Sequence, residues 1–255
     1  MKTALVLSGG GMFGAYQAGV WRVLSDILQP DLVVGASIGA INGWAIAGGC
    51  TPDQLVERWL RLECFERHRW RLPRRLHHGV FDSTLLRGQV EDSFATFQPR
   101  IDFALVTTEL ATLTPRIHRA PEITVDLLVA STAIIGIFPQ VRIEGRLHSD
   151  GGLLNVLPLW AAAELGAERI VGINVLPVPT GAIPWLVVRT LRKLSRFEPA
   201  LPRGVEAQII APSSGLGTSR EMLYWNRARA ERWIAQGERD ALAVKHSVQN
   251  CFERQ

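Results

Sequence analysis

One serine in this sequence stands between two glycines, at the point where an apolar, strand-like run passes into a helix. It is Ser37, in the segment Gly35-Ala-Ser37-Ile-Gly39, and the run 32–36 leads into it. Small neighbours allow a tight strand-to-helix turn that exposes the serine hydroxyl for attack on an acyl carbon. The pattern predicts a nucleophilic serine, and the alternative is a serine that only caps the helix.

Asp150 is the candidate base for that serine, because a serine hydroxyl is a weak nucleophile until a neighbouring group takes its proton. The aspartate ends a strand-like segment, and the small residues Gly151 and Gly152 beside it leave room for close approach to Ser37. An ordinary aspartate has a pKa of about 3.9 and is a poor base, so we expect this one to be desolvated and hydrogen-bonded to the serine. The alternative is an aspartate that only starts a turn.

A histidine base is the second possibility. Of the six histidines, only His246 follows Ser37 and Asp150 in the chain order of a hydrolase triad. It falls deep in a predicted helix rather than in a loop after a strand, so the sequence favours the aspartate. His148 precedes Asp150 by two residues on the same face of a predicted strand, from which it would at most orient another group.

A second glycine cluster, Gly9-Gly10-Gly11-Met-Phe-Gly14, follows the first apolar run of the chain. Successive glycines let backbone N–H groups point into one space, and the N-terminus of the following helix favours negative charge there. We therefore expect this loop to form an oxyanion hole. The alternatives are a close-packed turn that binds nothing and a dinucleotide loop of the form G-x-G-x-x-G. The dinucleotide interpretation lacks the acidic residue expected at the end of the second strand.

Strands and helices alternate along most of the chain. Strands are predicted near 4–8, 32–36, 103–108, 169–175 and 205–211, helices near 15–28, 38–47, 51–62, 83–94, 125–132, 157–165 and 219–244, and a hairpin over 141–148. This order predicts an α/β fold, a three-layer sandwich with a mainly parallel central sheet and helices on both faces. If the two glycine-rich turns follow neighbouring parallel strands, they face one crevice.

Length and composition predict a single domain over residues 1–255. The 47% apolar content suffices for a large core, and no repeat or linker divides the chain. We expect a motif-bearing core over about 1–180, then a C-terminal strand and a long helix over about 204–250. Three widely spaced cysteines without a C-x-x-C pattern predict no metal site and a reduced, cytoplasmic setting. The first apolar run is too short for a signal peptide, and no transmembrane segment is predicted.

Four motifs, taken in order, resemble those of bacterial patatin-like phospholipases. The glycine cluster and the serine segment are followed by Ala130-Ser-Thr-Ala-Ile-Ile-Gly-Ile-Phe-Pro139, then by Gly145-Arg-Leu-His-Ser-Asp-Gly-Gly152 with Asn155-Val-Leu-Pro158. Together they cover roughly the first 175 residues, and their joint spacing is far more specific than the serine motif alone.

The resemblance implies a Ser-Asp dyad on an α/β sheet that cleaves acyl esters of lipids through an acyl-enzyme, without a metal or cofactor. By position it implies Ser37 as the nucleophile and Asp150 as the base. It implies an oxyanion hole at Gly9, Gly10 and Gly11, with supporting motif residues at Gly14, Gly35, Gly39, Gly151 and Gly152.

Two positions depart from the family pattern. Phe13 stands where an arginine is usual, and Ile38 stands where an alanine usually follows the serine. Phe13 in place of arginine removes a positive charge near the acyl site. We therefore expect a preference for neutral or short-chain ester substrates.

Two basic segments predict peripheral contact with a membrane. Residues 58–78 hold seven arginines against two glutamates, interleaved with aromatic side chains, a composition that suits anionic headgroups and the bilayer interface. Residues 185–197 can form a basic amphipathic helix. The alternatives are a solvated basic loop and an ordinary packed helix. Nucleic-acid binding is not predicted, because the basicity is local and no recognised module accompanies it.

The sequence thus favours a serine lipid acyl hydrolase of the phospholipase A, lysophospholipase or carboxylesterase type, acting on a lipid or other acyl ester. The alternatives are an esterase with a Ser-His-Asp triad and a non-catalytic module that binds a nucleotide or an acyl group at the glycine loop.

Overall fold

The computed structural model describes residues 1–62, 76–177, 182–195 and 197–253. Within these residues one sheet contains eight strands, which are β1 Thr3–Leu7, β2 Leu32–Ala36, β3 Asp102–Glu109, β4 Thr114–Arg119, β5 Val141–Ile143, β6 Arg146–Asp150, β7 Arg169–Ile173 and β8 Glu206–Ile210. The helices around it are α1 Gly14–Leu24, α2 Ile38–Ala47, α3 Pro52–Leu60, α4 Thr84–Thr96, α5 Val125–Ser131, α6 Leu159–Glu164, α7 Ala182–Ser195, α8 Ser219–Leu223 and α9 Arg227–Glu253. Short 3-10 turns occupy Gly11–Phe13 and Leu76–His78.

The middle of the sheet is parallel. Every neighbouring pair in the order β3-β2-β1-β7-β8 runs parallel, whereas β4, β5 and β6 join antiparallel at the β3 end. The chain moves outward from β1 through β2 to β3 and later returns to the other side of β1. A topological switch point therefore lies at β1, and the loop after β1 opens into a crevice at the carboxyl ends of the strands. The mainly parallel α/β architecture predicted from the sequence is confirmed.

One edge of β3 brings the end of β6 to the end of β2. On that edge, β2 pairs with residues 102–106 of β3 and β6 pairs with residues 107–109. Strand β4 pairs with the opposite edge of β3. Ala36 ends β2 opposite Val106, and Asp150 ends β6 opposite Thr107. Because Val106 and Thr107 are consecutive, Ser37, which follows Ala36, is placed beside Asp150.

Two hydrophobic cores, one on each face of the sheet, produce the predicted three layers. Successive residues of a strand point to opposite faces. Leu5 and Leu7 accordingly pack with α1, α2 and α9, whereas Val6 and Val34 pack on the other face against Ala161 of α6.

Glycines let the C-terminal helix α9 lie directly on α1. A Cβ atom at Gly19 would lie 2.0 Å from the Ile234 carbonyl oxygen, and one at Gly237 would lie 2.3 Å from the Tyr16 carbonyl oxygen. Each glycine costs about 1 kcal/mol of helix propensity relative to alanine, and the close backbone packing offsets that cost. The C-terminal helix therefore belongs to the same core as the helix that follows the glycine loop.

Two elements differ from the sequence prediction. Strand β4 was not predicted, because it contains Pro115 and charged residues; such a strand is tolerated here since only one of its edges is paired. The predicted helix 219–244 is divided into α8 and α9. Between them Trp225 is buried and donates its indole N–H to the Trp59 carbonyl at 2.9 Å, a tertiary contact that outweighs the local helical pattern.

Candidate active site

Ser37 occupies a strained turn between β2 and α2. Its φ is 55° and its ψ is −130°, a conformation that residues with a side chain rarely adopt. The glycines around it are sterically required. A Cβ atom at Gly35 would lie 2.3 Å from the Gly39 carbonyl oxygen, and one at Gly39 would lie 2.4 Å from the Leu7 carbonyl oxygen. The turn has the geometry expected of a nucleophile elbow.

Ser131 holds this turn in place. The Ser37 N–H donates to the Ser131 hydroxyl oxygen at 3.0 Å, and that hydroxyl donates in turn to the Val106 carbonyl at 2.8 Å. Ser131 is fully buried, so both bonds are shielded from water. The sequence prediction included Ser131 in a family motif but assigned it no role. The sequence signal for Ser131 is a small polar residue at the C-terminal end of a mostly apolar helix.

Replacing Ser131 with alanine leaves the buried Ser37 N–H without a partner. We expect a loss of about 1–3 kcal/mol in the free energy of unfolding, together with slower reaction of Ser37. Ser149→Ala is the matched control, because the buried Ser149 hydroxyl donates only to the Ala133 carbonyl, at 2.9 Å. Chemical denaturation and ester hydrolysis measure both effects. Equal loss of activity in the two variants would contradict a role for Ser131 in positioning Ser37.

Asp150 is buried beside Ser37, with a relative exposure of 6%. Its carboxylate accepts hydrogen bonds from the Ser37 hydroxyl and from the Gly152 N–H, the latter at 2.6 Å. Burial raises the pKa of Asp150 to about 6, against the lowering effect of these two hydrogen bonds. At neutral pH the carboxylate is therefore mostly ionised, yet far more basic than that of an ordinary aspartate.

Glycines bring the aspartate and the serine close to the loop after β1. A Cβ atom at Gly151 would lie 2.0 Å from the Val106 carbonyl oxygen, so only glycine fits there. A Cβ atom at Gly9 would lie 3.0 Å from the Ser37 Cβ, and one at Gly152 would lie 3.9 Å from the Gly9 Cα. The structure thus brings the serine turn, the aspartate and the glycine loop into one site.

The structure differs from the sequence prediction at Gly9, which was expected to donate its N–H to an oxyanion. Its N–H is already donated to the Val156 carbonyl at 3.0 Å, so it is not available to an oxyanion. The N–H groups of Gly10 and Gly11 donate to no protein oxygen within the described ranges. Of the three glycines expected to form an oxyanion hole, Gly9 thus has its N–H bonded within the protein, and an oxyanion hole at Gly10 and Gly11 stays a prediction.

Ser8 and close packing fix the shape of this loop. The Ser8 carbonyl accepts from the Gln17 amide at 2.8 Å, and its hydroxyl accepts from the Val175 N–H at 2.9 Å. Gly11 has a φ of 53°, and a Cβ atom there would lie 2.4 Å from the Met222 carbonyl oxygen. A Cβ atom at Gly14 would lie 2.6 Å from a side-chain carbon of Ile38, which keeps the start of α1 close to α2.

The comparison with known proteins agrees with this arrangement. The sequence model of patatin-like phospholipases matches residues 5–163, more than half of the chain, and the matched range includes Ser37 and Asp150. The chain belongs to the patatin-like phospholipase family. The resemblance that the sequence motifs indicated is confirmed at the level of the family.

Relatives and a solved structure extend the comparison of this patatin-like chain. The patatin-like phospholipase domain-containing protein ZK370.4 of Caenorhabditis elegans is 30% identical over an alignment of 182 residues that covers 67% of this chain and 13% of that protein. Lysophospholipase nte1 of Aspergillus terreus is 28% identical over an alignment of 188 residues that covers 68% of this chain and 12% of that protein. The crystal structure of VipD from Legionella pneumophila has a TM-score of 0.53 at 11% identity and covers 96% of this chain and 67% of that one, which supports the fold alone. The chain thus spans only a small part of the length of the relatives that it matches.

The departure at Phe13 has a structural explanation. The Phe13 side chain is 1% exposed, and its ring packs edge-on against Trp233 of α9, with 5.1 Å between the ring centroids. In this patatin-like chain the position thus contributes to the core between α1 and α9. The expectation that Phe13 favours neutral or short-chain esters gains no support from this placement.

Two histidines, the buried His148 and the half-buried His118, lie near the aspartate and bond to Thr107. The Thr107 hydroxyl, opposite Asp150 in the sheet, is hydrogen-bonded to His148 Nδ1 at 2.9 Å and to His118 Nε2 at 2.8 Å. Burial lowers the pKa of both imidazoles, that of His118 to about 4, so both are neutral at neutral pH. His246 is exposed on α9. In the described part of the chain, no three His, Cys, Asp or Glu side chains are placed to share a metal ion.

The two basic segments fall partly outside the described residues, since 63–75 and 196 are not described. At the start of the first segment, Trp59 is buried, whereas Arg58 is half-buried and pairs with the exposed Asp92 at 3.0 Å. In α7, Leu194 is 66% exposed next to exposed basic residues. None of the helices described here is both long and apolar enough to span a membrane.

Proposed function

We propose that this chain is a serine lipid acyl hydrolase in which Ser37 is the nucleophile and Asp150 the base. The observation that carries the proposal is the hydrogen bond from the Ser37 hydroxyl to a buried carboxylate whose pKa is raised to about 6. A base with a pKa near the working pH is the most effective proton acceptor. No histidine is required in this scheme.

Acylation begins when Ser37 Oγ attacks the ester carbonyl carbon while Asp150 takes the hydroxyl proton. The carbonyl oxygen becomes an oxyanion, and the N–H groups of Gly10 and Gly11 stabilise it, assisted by the N-terminus of α2. The intermediate collapses with cleavage of the carbonyl–alkoxy bond. Asp150 returns its proton to the leaving alcohol, and the acyl group stays on Ser37 as an ester.

Deacylation repeats these steps with water as the nucleophile. Asp150 takes a proton from the attacking water, and Gly10 and Gly11 again stabilise the oxyanion. The Ser37 ester bond then breaks, and the serine oxygen recovers its proton from Asp150. The products are a free carboxylic acid and the regenerated hydroxyl, so each turnover consumes one water molecule.

The substrate class that we propose is the acyl ester of a lipid, with lysophospholipids among the candidates. Family membership supports the class, and the relative from Aspergillus terreus is named a lysophospholipase. Because this chain covers only 12% of that relative, the substrate class of this chain is our proposal.

The pH dependence of hydrolysis tests the aspartate base. Only the ionised carboxylate accepts the Ser37 proton, so kcat/KM should fall as the pH drops through about 6 and should stay level from about 7 to 9. The His246→Ala variant should have the same profile as the wild type. A midpoint near 4 would contradict the raised pKa of Asp150, and an acidic limb that disappears in His246→Ala would contradict the dyad.

Peripheral membrane contact remains a prediction for segments 58–78 and 185–197. The exposed Leu194, next to Arg192 and Lys193 on α7, supports the second segment. We expect flotation of the protein with anionic liposomes to decrease when Arg192 and Lys193 are changed to glutamate. Unchanged flotation would argue against a role for α7 in membrane contact.

A further inference from the structure

A polar pocket lies at the corner between α8 and α9. Its volume is about 450 Å³, within the range of small-molecule sites, and it is partly open to solvent. The lining residues come from α8, from the start of α9 and from the link between these helices: Arg220, Glu221, Tyr224, Trp225, Asn226 and Arg229. The hydrolysis described above uses none of these side chains.

This pocket is separate from the Ser37 site. Met222 of α8 contacts the glycine loop, because a Cβ atom at Gly11 would lie 2.4 Å from the Met222 carbonyl oxygen. The described lining of the pocket includes neither Met222 nor any residue of the glycine loop. Helix α8 thus has the glycine loop against one face and the pocket on another. A ligand in the pocket would occupy a different site from an ester at Ser37.

Arg220 brings an unpaired positive charge to the pocket. Its side chain is exposed, and no carboxylate of the described residues lies within ion-pair distance of its guanidinium group. The nearby Arg227 of α9 differs in this respect, because it pairs with Glu231 at 3.1 Å and does not line the pocket. Arg220 is therefore available to an anion from outside the chain.

Arg229 adds a second cation whose hydrogen-bonding capacity is mostly unused. Its Nη1 lies 3.8 Å from Glu221 Oε1, and its Nη2 donates to the Tyr224 carbonyl at 3.4 Å, both of which are long contacts. Its Nε is buried and has no hydrogen-bond partner in the part of the chain that the structure describes. Because guanidinium N–H groups without acceptors are unfavourable, Arg229 is suited to donate to oxygens of a ligand.

The carboxylate of Glu221 does not neutralise both arginines. Its Oε2 accepts hydrogen bonds from the Thr218 N–H at 2.9 Å and from the Thr218 hydroxyl at 3.0 Å. Its Oε1 is shared between Arg229, at 3.8 Å, and Arg232, at 3.7 Å. Arg220 and Arg229 against this single acid leave the described lining with an excess of positive charge, which favours an anionic ligand.

The arrangement of donors suits an organic phosphate. A guanidinium group binds phosphate oxygens through two parallel hydrogen bonds, and arginines on two elements can hold different oxygens of one phosphate. Asn226 offers a further donor: its Oδ1 accepts the Arg229 N–H at 3.1 Å, and its side-chain amide donates to none of the described residues. The Tyr224 ring gives the pocket an apolar side, against which an attached carbon skeleton can pack.

We propose that this pocket binds the phosphate group of an organic phosphate, with Arg220, Arg229 and Asn226 as hydrogen-bond donors. The inference goes beyond the proposed hydrolysis and does not depend on it. A soluble phosphate ester and the headgroup of a membrane phospholipid both offer this chemistry. The experiment distinguishes these two sources.

Calorimetric titration with glycerol 3-phosphate tests the site. The wild type should bind one molecule per chain with a Kd of about 1 mM or lower, which a few charged hydrogen bonds can supply. Arg220→Gln removes the unpaired charge and should raise the Kd by about tenfold or more. Arg227→Gln is the matched control, because Arg227 is an exposed arginine at the same corner that does not line the pocket, and it should leave the Kd unchanged.

Flotation with vesicles identifies the source of the phosphate. The same three proteins would be mixed with vesicles of phosphatidylcholine that contain phosphatidic acid. Weaker flotation of Arg220→Gln, with Arg227→Gln like the wild type, assigns a lipid headgroup to the pocket. Unchanged flotation together with weaker binding of glycerol 3-phosphate assigns a soluble phosphate ester. Either result supports the site.

Arginine modification of the wild type gives a second measurement, which holds even if Arg220→Gln fails to fold. Phenylglyoxal reacts with accessible guanidinium groups, and glycerol 3-phosphate should protect Arg220 but not Arg227, as mapped by mass spectrometry. No saturable binding to the wild type, an unchanged Kd in folded Arg220→Gln, or equal protection of the two arginines would overturn the phosphate site. Absence of Ser37-dependent hydrolysis would overturn the proposed function and leave this inference standing.

Discussion

Replacing Asp150 with asparagine is expected to lower kcat for ester hydrolysis by about 10³-fold or more. Asparagine has nearly the shape of aspartate but accepts no proton, so Ser37 loses its base while the site keeps its packing. Esters of lipids and p-nitrophenyl esters serve as substrates, measured at pH 7.5. Activity within a few-fold of the wild type would exclude Asp150 as the base.

The same substitution is expected to stabilise the fold at neutral pH. Burial raises the pKa of Asp150 from 3.8 to about 6, so the native state holds this proton more tightly than the unfolded chain does. The wild type therefore loses stability as the pH rises through roughly 4 to 6, by about 1.4 kcal/mol for each unit of the pKa shift. The Asp150→Asn variant has no proton to lose at this position, so thermal unfolding at pH 7.5 should show a higher Tm for it than for the wild type. If the variant were inactive because its fold is damaged, its Tm would instead be lower than that of the wild type.

Replacing Gly35 with alanine is expected to cost about 3 kcal/mol or more in stability and to abolish activity. The new Cβ would lie 2.3 Å from the Gly39 carbonyl oxygen and 2.5 Å from the Ala40 Cα, and both are backbone atoms of the elbow. Because a backbone cannot rotate aside as a flexible side chain does, the start of α2 must move away from β2. That movement displaces Ser37 from Asp150.

Gly88→Ala is the control for this substitution. Gly88 lies within α4, and a Cβ atom there would meet nothing within 4 Å, so alanine should stabilise the helix by about 0.5–1 kcal/mol. Urea denaturation of both variants gives the comparison. If Gly35→Ala were as stable as Gly88→Ala, the tight packing of the elbow would be refuted.

The elements closest to the site follow from local sequence patterns. The run 32–36 and the glycines around Ser37 predicted a strand, a tight turn and a helix, and the structure has β2 and α2 at these positions. The helix predicted near 51–62 likewise begins at a local signal, a capping box: the Thr51 hydroxyl accepts from the Gln54 N–H at 3.2 Å, and the Thr51 N–H donates to the Gln54 side chain at 2.9 Å. Such features depend on neighbours within about four residues, which the sequence displays directly.

Features that depend on distant residues were not predictable in this way. The sequence suggested that Asp150 could approach Ser37, but the reason that it does is the shared edge of β3, where β6 continues beyond the end of β2. Ser131 supports the Ser37 turn across 94 positions of sequence. The Gly9 N–H donates to the Val156 carbonyl. No local sequence pattern indicates this hydrogen bond between two loops.

Buried aromatic residues account for two further differences. The sequence predicts a change of charge at the acyl site from Phe13, whereas the Phe13 ring packs on Trp233. The predicted terminal helix was continuous, whereas Trp225 interrupts it by bonding to the Trp59 carbonyl. Both contacts join parts of the chain that are far apart in sequence, so helical periodicity alone could not reveal them.

Covalent labelling by a fluorophosphonate tests the central claim most directly. The reagent reacts only with an activated serine, and mass spectrometry of the intact and digested protein gives both its stoichiometry and its position. We predict one phosphonyl group per chain on Ser37, no labelling of Ser37→Ala, and labelling of Asp150→Asn that is slower by at least a hundredfold. A wild-type protein that stays unlabelled at Ser37, or an Asp150→Asn variant labelled at the wild-type rate, would contradict the Ser37–Asp150 dyad.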